Sequence, residues 1–245
     1  MPVSERARDD LVDGIKVAED IERMRLLQAR EKMYEFLSYA YTQNPSASFL
    51  DSLRSIEFST GLEELRKLFE GVPGSEELLE DLAVLRIAAS FSKEREDEIL
   101  ARLQEDYVRI FRGICRGYGP PPPYESVYRS DIVMSDATSD VLTLYHKAGL
   151  EVRGGEPPDH IGFELGFMAY LCKKEAEYRI AADLKNVTDF ISFQNDFLSD
   201  HILTWVPQFC TKVLDYDNAF YAAVAELTLS WLLLEEKNTN DRNSS

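Results

Sequence analysis

The sequence is poor in the residues that catalytic and metal centres are commonly built from. It has three histidines and three cysteines in 245 residues. Cys115, Cys172 and Cys210 are far apart, odd in number and form no CxxC pair. That argues against a disulfide framework and fits a reduced, cytoplasmic compartment. No HExxH or paired ExxH motif occurs, so the signatures of a zinc protease and of a di-iron bundle are missing. There is no GxxxxGK[ST] phosphate loop, no GxGxxG turn and no GxSxG elbow. Nucleophilic catalysis has no visible Cys–His or Ser–His support, so an enzyme is not expected. Neither a bound metal nor a cofactor is expected.

Positive charge is scarce as well. Lysine and arginine number 27 against 44 acidic residues, a net charge of −17. Nucleic acid is therefore not expected as a partner, because phosphate binding needs a basic face. An anionic membrane surface is disfavoured for the same reason. The first ten residues, M-P-V-S-E-R-A-R-D-D, lack an apolar core, so no signal peptide is expected. The longest apolar tract, near Ala222 to Leu234, is interrupted by Glu226 and is too short to span a bilayer. A basic peptide suits this charge balance.

Apolar content is 44%, enough for a real core. Its spacing is helical almost throughout. Ile21, Met24, Leu27, Met33, Phe36, Leu37 and Ala40 recur at three and four residues, and the run stops at Asn44-Pro45. Short helices follow over about 47–55 and 60–70. Ser75, with Glu76 and Glu77 behind it, opens the next. Further helices are predicted over about 93–111, 139–148, 159–184, 187–201, 204–214 and 217–237. Period-two alternation is almost absent, so the fold class is all-α: a single bundle of about ten helices with negligible strand. The chain divides into a charged extension (1–18), an N-terminal helical part (19–112), a Pro/Tyr-rich hinge loop (113–137), a C-terminal helical part (138–237) and a tail (238–245) disordered by composition.

Three constellations are candidates for function. Asp159 follows two prolines and precedes an apolar-periodic run, which places it to cap a helix. His160 and Glu164 share that helix's face one turn apart. Together they could hold a guanidinium, or Asp159 could be a cap with His160 as its buried partner. In the same helix Gly162 and Gly166 sit four apart. Each costs roughly 0.5–1 kcal/mol relative to alanine, so a close approach by a neighbour is expected, or a mobile helix start. The second constellation is Tyr107, Phe111, Tyr118, Tyr124 and Tyr128 around Pro120–Pro123. It reads equally as a peptide groove or as a loop pinned by its aromatics. Arg109 with Glu105 and Asp106 reads as a helix-face ion pair. The third, Phe193, Phe197, His201, Trp205 and Phe209, reads first as a core helix. Pro207 either kinks it or marks the next helix's first turn.

Three blocks then carry a family resemblance. E-D-Y-V-R-I-F-R-G with P-P-Y-E-S-V-Y resembles the E-x-Y-x-x-L-F…G…P-P-Y-x-S-x-Y pattern of the TorD/DmsD redox-enzyme maturation chaperones. P-P-D-H-I-G-F-E-L-G-F-M resembles their P-x-D-H-x-x-x-E-L-x-F-M block. F-L-S-D-H-I-L-T-W-V-P-Q-F resembles their F-L-x-x-H-x-x-x-W-x-P-x-F block. The order matches, and the likeness runs from about residue 20 to 235. The charged N-terminal residues have no counterpart, and Ile110 stands where the pattern has Leu.

The resemblance implies a cytoplasmic all-helical chaperone whose C-terminal part, in some members, swaps between protomers of a homodimer. It implies binding of the twin-arginine signal peptide of a molybdopterin oxidoreductase catalytic subunit, whose apo form is held until its cofactor is inserted. Family binding residues carry over to Asp159 and His160 and, less directly, to Glu164, Tyr124, Ser126 and Tyr128. Asp159 and Glu164 are then expected to meet arginine, and Tyr124, Tyr128 and Phe163 the apolar segment. The rival readings are a helical protein that binds a nucleotide or the molybdopterin cofactor itself, and a metal-dependent enzyme using His160, Glu164 and His201.

Overall fold

A computed structural model describes residues 5–91, 93–112, 119–152 and 155–243, with side chains described between 17 and 239 of these. Cys115 and Tyr118 lie outside them. Among the described residues the fold is all-α. The helices are α1 (Glu5–Thr42), α2 (Ala47–Arg54), α3 (Ile56–Phe69), α4 (Glu76–Ala88), α5 (Glu96–Phe111), α6 (Glu125–Ser130), α7 (Asp136–Lys147), α8 (Ile161–Ile180), α9 (Leu184–Phe197), α10 (Leu203–Leu214) and α11 (Ala219–Asn243). The only pairing of extended backbone among these residues is an isolated antiparallel bridge, Tyr124 to His160.

Local chemistry explains most boundaries. Ser46 and Ser55 accept from the amides of Phe49 and Phe58 and start α2 and α3. Asp183 does the same for α9 through Asn186. Gly71, Gly74 and Gly149 adopt positive φ in turns, which glycine does without strain. α9 and α10 are joined without a break by a π-turn, Leu198–Ile202. Pro207 lies inside α10, so it neither ends nor starts a helix.

Four boundaries differ from expectation. α1 reaches back to Glu5 and α11 continues to Asn243, through segments without an apolar stripe. α6 forms within the expected hinge loop. The residue capping α8 is His160, not Asp159: its side chain accepts from the Gly162 amide at 3.1 Å.

The core is one continuous apolar cluster centred on α1, α8, α10 and α11. Trp205, Trp231, Tyr34, Tyr41 and Tyr221 are its largest fully buried side chains. Cys172 and Cys210 are buried thiols in it, pushed by burial up to about 12 and so inert as nucleophiles. A polar network runs through one side. Arg30 donates twice to Glu235 through Nε and Nη2, and once to Gln194, which donates in turn to Glu175. Tyr34 also donates to Glu235. α1, α8, α9 and α11 are thereby tied by one buried guanidinium. Removing either charge would leave the other uncompensated, at about 3–5 kcal/mol.

The close approach expected at Gly162 and Gly166 is present. Ser38 of α1 donates to the Gly162 carbonyl at 2.6 Å. A Cβ built on Gly162 would stand 2.2 Å from Thr42 Cγ2 and 3.0 Å from the Ser38 carbonyl oxygen. Gly61, inside α3, has nothing within 4 Å of such a Cβ. Gly162→Ala is therefore expected to destabilise by about 2 kcal/mol, the cost of overpacking a fitted contact. Gly61→Ala is expected to stabilise by roughly 0.5–1 kcal/mol. Urea unfolding of the two variants against the parent checks both signs.

Candidate functional site

The N-terminus of α8 and the short helix α6 are built as one unit. The Glu125 amide donates to the Asp159 carbonyl, and the Ile161 amide to the Pro123 carbonyl, each at 3.0 Å. Asp159 Oδ2 accepts from the Ser126 amide at 2.9 Å. The role of Asp159 is thus to hold the start of α6 from outside rather than to cap its own helix. Ser126 in turn accepts the Met134 amide on Oγ.

Three carboxyl groups are buried here, those of Glu125, Asp159 and Glu164, each with 0% exposure. Their polar partners are few. Glu164 Oε2 accepts from the Trp205 indole at 3.0 Å. Glu125 accepts from Arg129, one turn further along α6, and lies 2.9 Å from His201 Nδ1. With a carboxylate opposite it, that Nδ1 carries a proton. One oxygen of Asp159 (Oδ1) and one of Glu164 (Oε1) have no donor. Glu164 is pushed well above the ordinary carboxyl range, first by burial and then by the neighbouring Glu125 charge. The fold therefore favours its protonated form, and as an acid it can donate to Glu125.

The outer layer is aromatic. Tyr124 is half-buried, donates to Glu156 at 2.6 Å and packs edge-on against His160. Arg112 pairs with the same Glu156. Tyr128 lies against Trp205 and donates to the Pro121 carbonyl. Phe163 packs on His160 and lines a cleft of about 280 Å³ with Ser38, Leu150 and Phe167. A second cleft, about 360 Å³, lies between α7 and α9 and ends at Asp200 and His201 of the π-turn. A further cleft, about 630 Å³ between α1 and α3, shares no residue with the carboxyl cluster.

The residues singled out from the sequence are therefore brought together, but in two layers. Asp159, His160, Glu164 and Ser126 are buried, while Tyr124, Tyr128 and Phe163 are partly exposed. Tyr107 and Phe111 belong to the core, with the Tyr107 hydroxyl donating to the Thr42 carbonyl at 2.8 Å. Asp106 pairs with Arg109 as expected, but it is buried and also accepts from Asn218. Glu125, Arg129 and the inward role of His201 were not anticipated. The available signal was the four-residue spacing of Glu125 and Arg129. Among the described residues no group of three or more His, Cys, Asp or Glu side chains could hold a metal ion.

Titration separates two of these groups. Burial lowers His160 from 6.5 to about 4, and its Nδ1 lone pair is already engaged by Gly162. Between pH 6.5 and 4 the unfolded chain takes up a proton that folded His160 refuses. Its contribution is full above 6.5 and is lost as pH falls toward 4, roughly 3 kcal/mol in all. Glu164 runs the other way. Its raised titration gives a contribution that is full below its ordinary 4.5 and declines as pH rises. Glu164→Gln keeps an acceptor for Trp205 and removes that decline. It is expected to exceed the parent in stability at pH 7, with the difference vanishing below pH 4.5. The loss between pH 6.5 and 4 should then steepen, which urea unfolding across that range would show.

Comparison with known proteins bears on the family of this chain. The family model described as nitrate reductase delta subunit matches residues 70–211. The chain is 28% identical to a chaperone protein TorD of Vibrio atlanticus (strain LGP32), over 85% of this chain and 93% of that one. It is 24% identical to a chaperone protein TorD of Shewanella pealeana (strain ATCC 700345 / ANG-SQ1), over 84% and 87%. A crystal structure from Archaeoglobus fulgidus, named as a redox enzyme maturation protein, covers 82% of this chain and 92% of its own at 21% identity, with a TM-score of 0.40. The family match spans more than half of the chain, and helices α4 to α9, the buried Asp-His block and the π-turn fall within it. The chain belongs to the nitrate reductase delta subunit family, that of the TorD-type maturation chaperones, and is a chaperone rather than an enzyme.

Proposed function

We propose that this chaperone binds the twin-arginine signal peptide, together with the apo form, of a molybdopterin oxidoreductase catalytic subunit in the cytoplasm, and assists cofactor insertion before export. The observation that carries this reading is the pair of buried carboxyl oxygens without a donor, Asp159 Oδ1 and Glu164 Oε1, beside the buried Glu125. A fold gains no stability from such an excess, since an unpaired buried polar atom costs about 1–3 kcal/mol. A guanidinium offers five donors in a planar fork and suits carboxylates better than a lysine ammonium does.

The layering assigns the order of contact. Tyr124, Tyr128 and Phe163 are reachable from solvent and offer apolar area with hydroxyls to the segment that follows the arginines. Asp159, His160, Glu164 and Ser126 lie behind them and act once the α6 segment shifts. The net charge of −17 draws a basic peptide in from a distance. No helix among the described residues is long and apolar enough to cross a membrane.

Calorimetric titration with a twin-arginine peptide, beside a copy with both arginines changed to lysine, tests the reading. Binding of the first is expected, with the second weaker by roughly tenfold or more, the effect of losing charge-assisted hydrogen bonds. Equal binding of the two would sink the guanidinium assignment and leave the carboxyl cluster a structural feature.

A further inference from the structure

Arg129 is placed unlike the other arginines of the site. Its side chain is 44% exposed, yet its Nη1 reaches Glu125, which is fully buried. The same nitrogen approaches the Asp200 carbonyl at 3.5 Å, so the guanidinium bridges α6 and the π-turn. The turn that it reaches also borders the α7–α9 cleft, which Asp200, His201 and Lys147 line. Asp189 and Asp196 line the same cleft, and neither forms an ion pair among the described residues. The cleft floor is apolar, from Leu144, Phe193 and Phe197. Beside this cleft, at Glu125 and the Asp200 carbonyl, a guanidinium is already seen, supplied by the chain itself.

We propose that Arg129 is an internal stand-in for a client arginine, occupying a guanidinium socket from which the client's side chain must displace it. The proposal rests on the peptide reading above and adds the seat of one arginine and the residue that competes for it. The exchange is chemically even. Glu125 is too deeply buried to be left bare, but one guanidinium can replace another on it. Arg129 has open solvent to swing into. An ammonium replaces it less well, because its compact charge is more strongly hydrated and so costs more to bring against a buried carboxylate. The residues after Arg129 extend the match. Ile132, Val133 and Met134 are consecutive and exposed, so an apolar surface adjoins the socket, as a peptide with arginines followed by apolar residues requires.

An internal competitor reduces apparent affinity by the fraction of time it fills the socket. Arg129→Ala is therefore expected to bind the twin-arginine peptide about five- to tenfold more tightly than the parent, with most of the gain absent for the twin-lysine copy. Arg129→Lys, which keeps a cation over Glu125, should fall between them. Independently of any peptide, millimolar ethylguanidinium should raise the melting temperature of Arg129→Ala and leave the parent unmoved, while ethylammonium at equal ionic strength should do neither. Rescue by ethylguanidinium without peptide binding by any form would support the socket and remove the signal-peptide reading. Peptide affinity unchanged or lowered in both variants, with no ethylguanidinium effect, would overturn the stand-in role while the peptide reading survives.

Discussion

The site depends on how closely α8 lies against α1. At Gly162 there is room for a hydrogen atom and no more, with Thr42 and the Ser38 carbonyl where a side chain would start. The Ser38 hydroxyl then fastens to the Gly162 carbonyl. This fixes the first turn of α8, and with it the ring of His160, which caps that turn. Asp159, one residue earlier, is fixed in consequence, and through it the start of α6. Glu125 is the first residue of α6, so the pairing of Glu125 with His201 follows from the same contact. The far half of α8 is held separately by the Arg30 network, through Gln194 and Glu175. One helix, clamped in two places, presents its N-terminal turn as a rigid wall.

That wall buries acids, and the fold handles each differently. Glu164 is relieved by carrying a proton, with an indole donor on its other oxygen. Asp159 is relieved by a backbone amide. Glu125 alone depends on an imidazole and a guanidinium, the guanidinium reaching in from solvent. The unevenness is informative. A cluster selected for stability alone would have complete donors, because full satisfaction is what makes buried polar networks favourable. Here the unpaired oxygens belong to Asp159 and Glu164, whereas Glu125 is paired but has a partner open to solvent, so the pairing at Glu125 is the exchangeable part.

Much of this was legible in the sequence, for reasons that can be named. Helical periodicity is a short-range signal, and α1 from Glu19 onward, α4, α5 and α8 follow it. Gly162 and Gly166 announced a close approach because glycine inside a helix needs a reason. The alternative that His160 is a buried neighbour of Asp159 was also readable, though the capping roles were exchanged. Histidine and aspartate are both able to accept from the first amides, and spacing cannot choose between adjacent residues. α6 was hidden because six residues after a proline run have little propensity to show. Tertiary bonds from Asp159 and Pro123 make it a helix. The pairing of Glu125 with His201 crosses 76 positions, a distance over which no local pattern carries information. The early turns of α1 and the end of α11 lack an apolar stripe, which is why composition there reads as an extension and a tail.

Charge divides its work between two depths. The surface acids give the net charge of −17 that acts across solvent, and their pull on a basic peptide weakens as salt screens it. The buried acids are shielded from salt but also from distant cations, so they contribute little to attraction and much to discrimination. A peptide rich in lysine satisfies the first layer as well as one rich in arginine. A guanidinium suits the second better, because it is more weakly hydrated than an ammonium, and one guanidinium nitrogen of Arg129 already reaches both Glu125 and the Asp200 carbonyl. Encounter and selection are thus set by different residues, and a chaperone of this design can be strongly acidic without binding every basic segment equally.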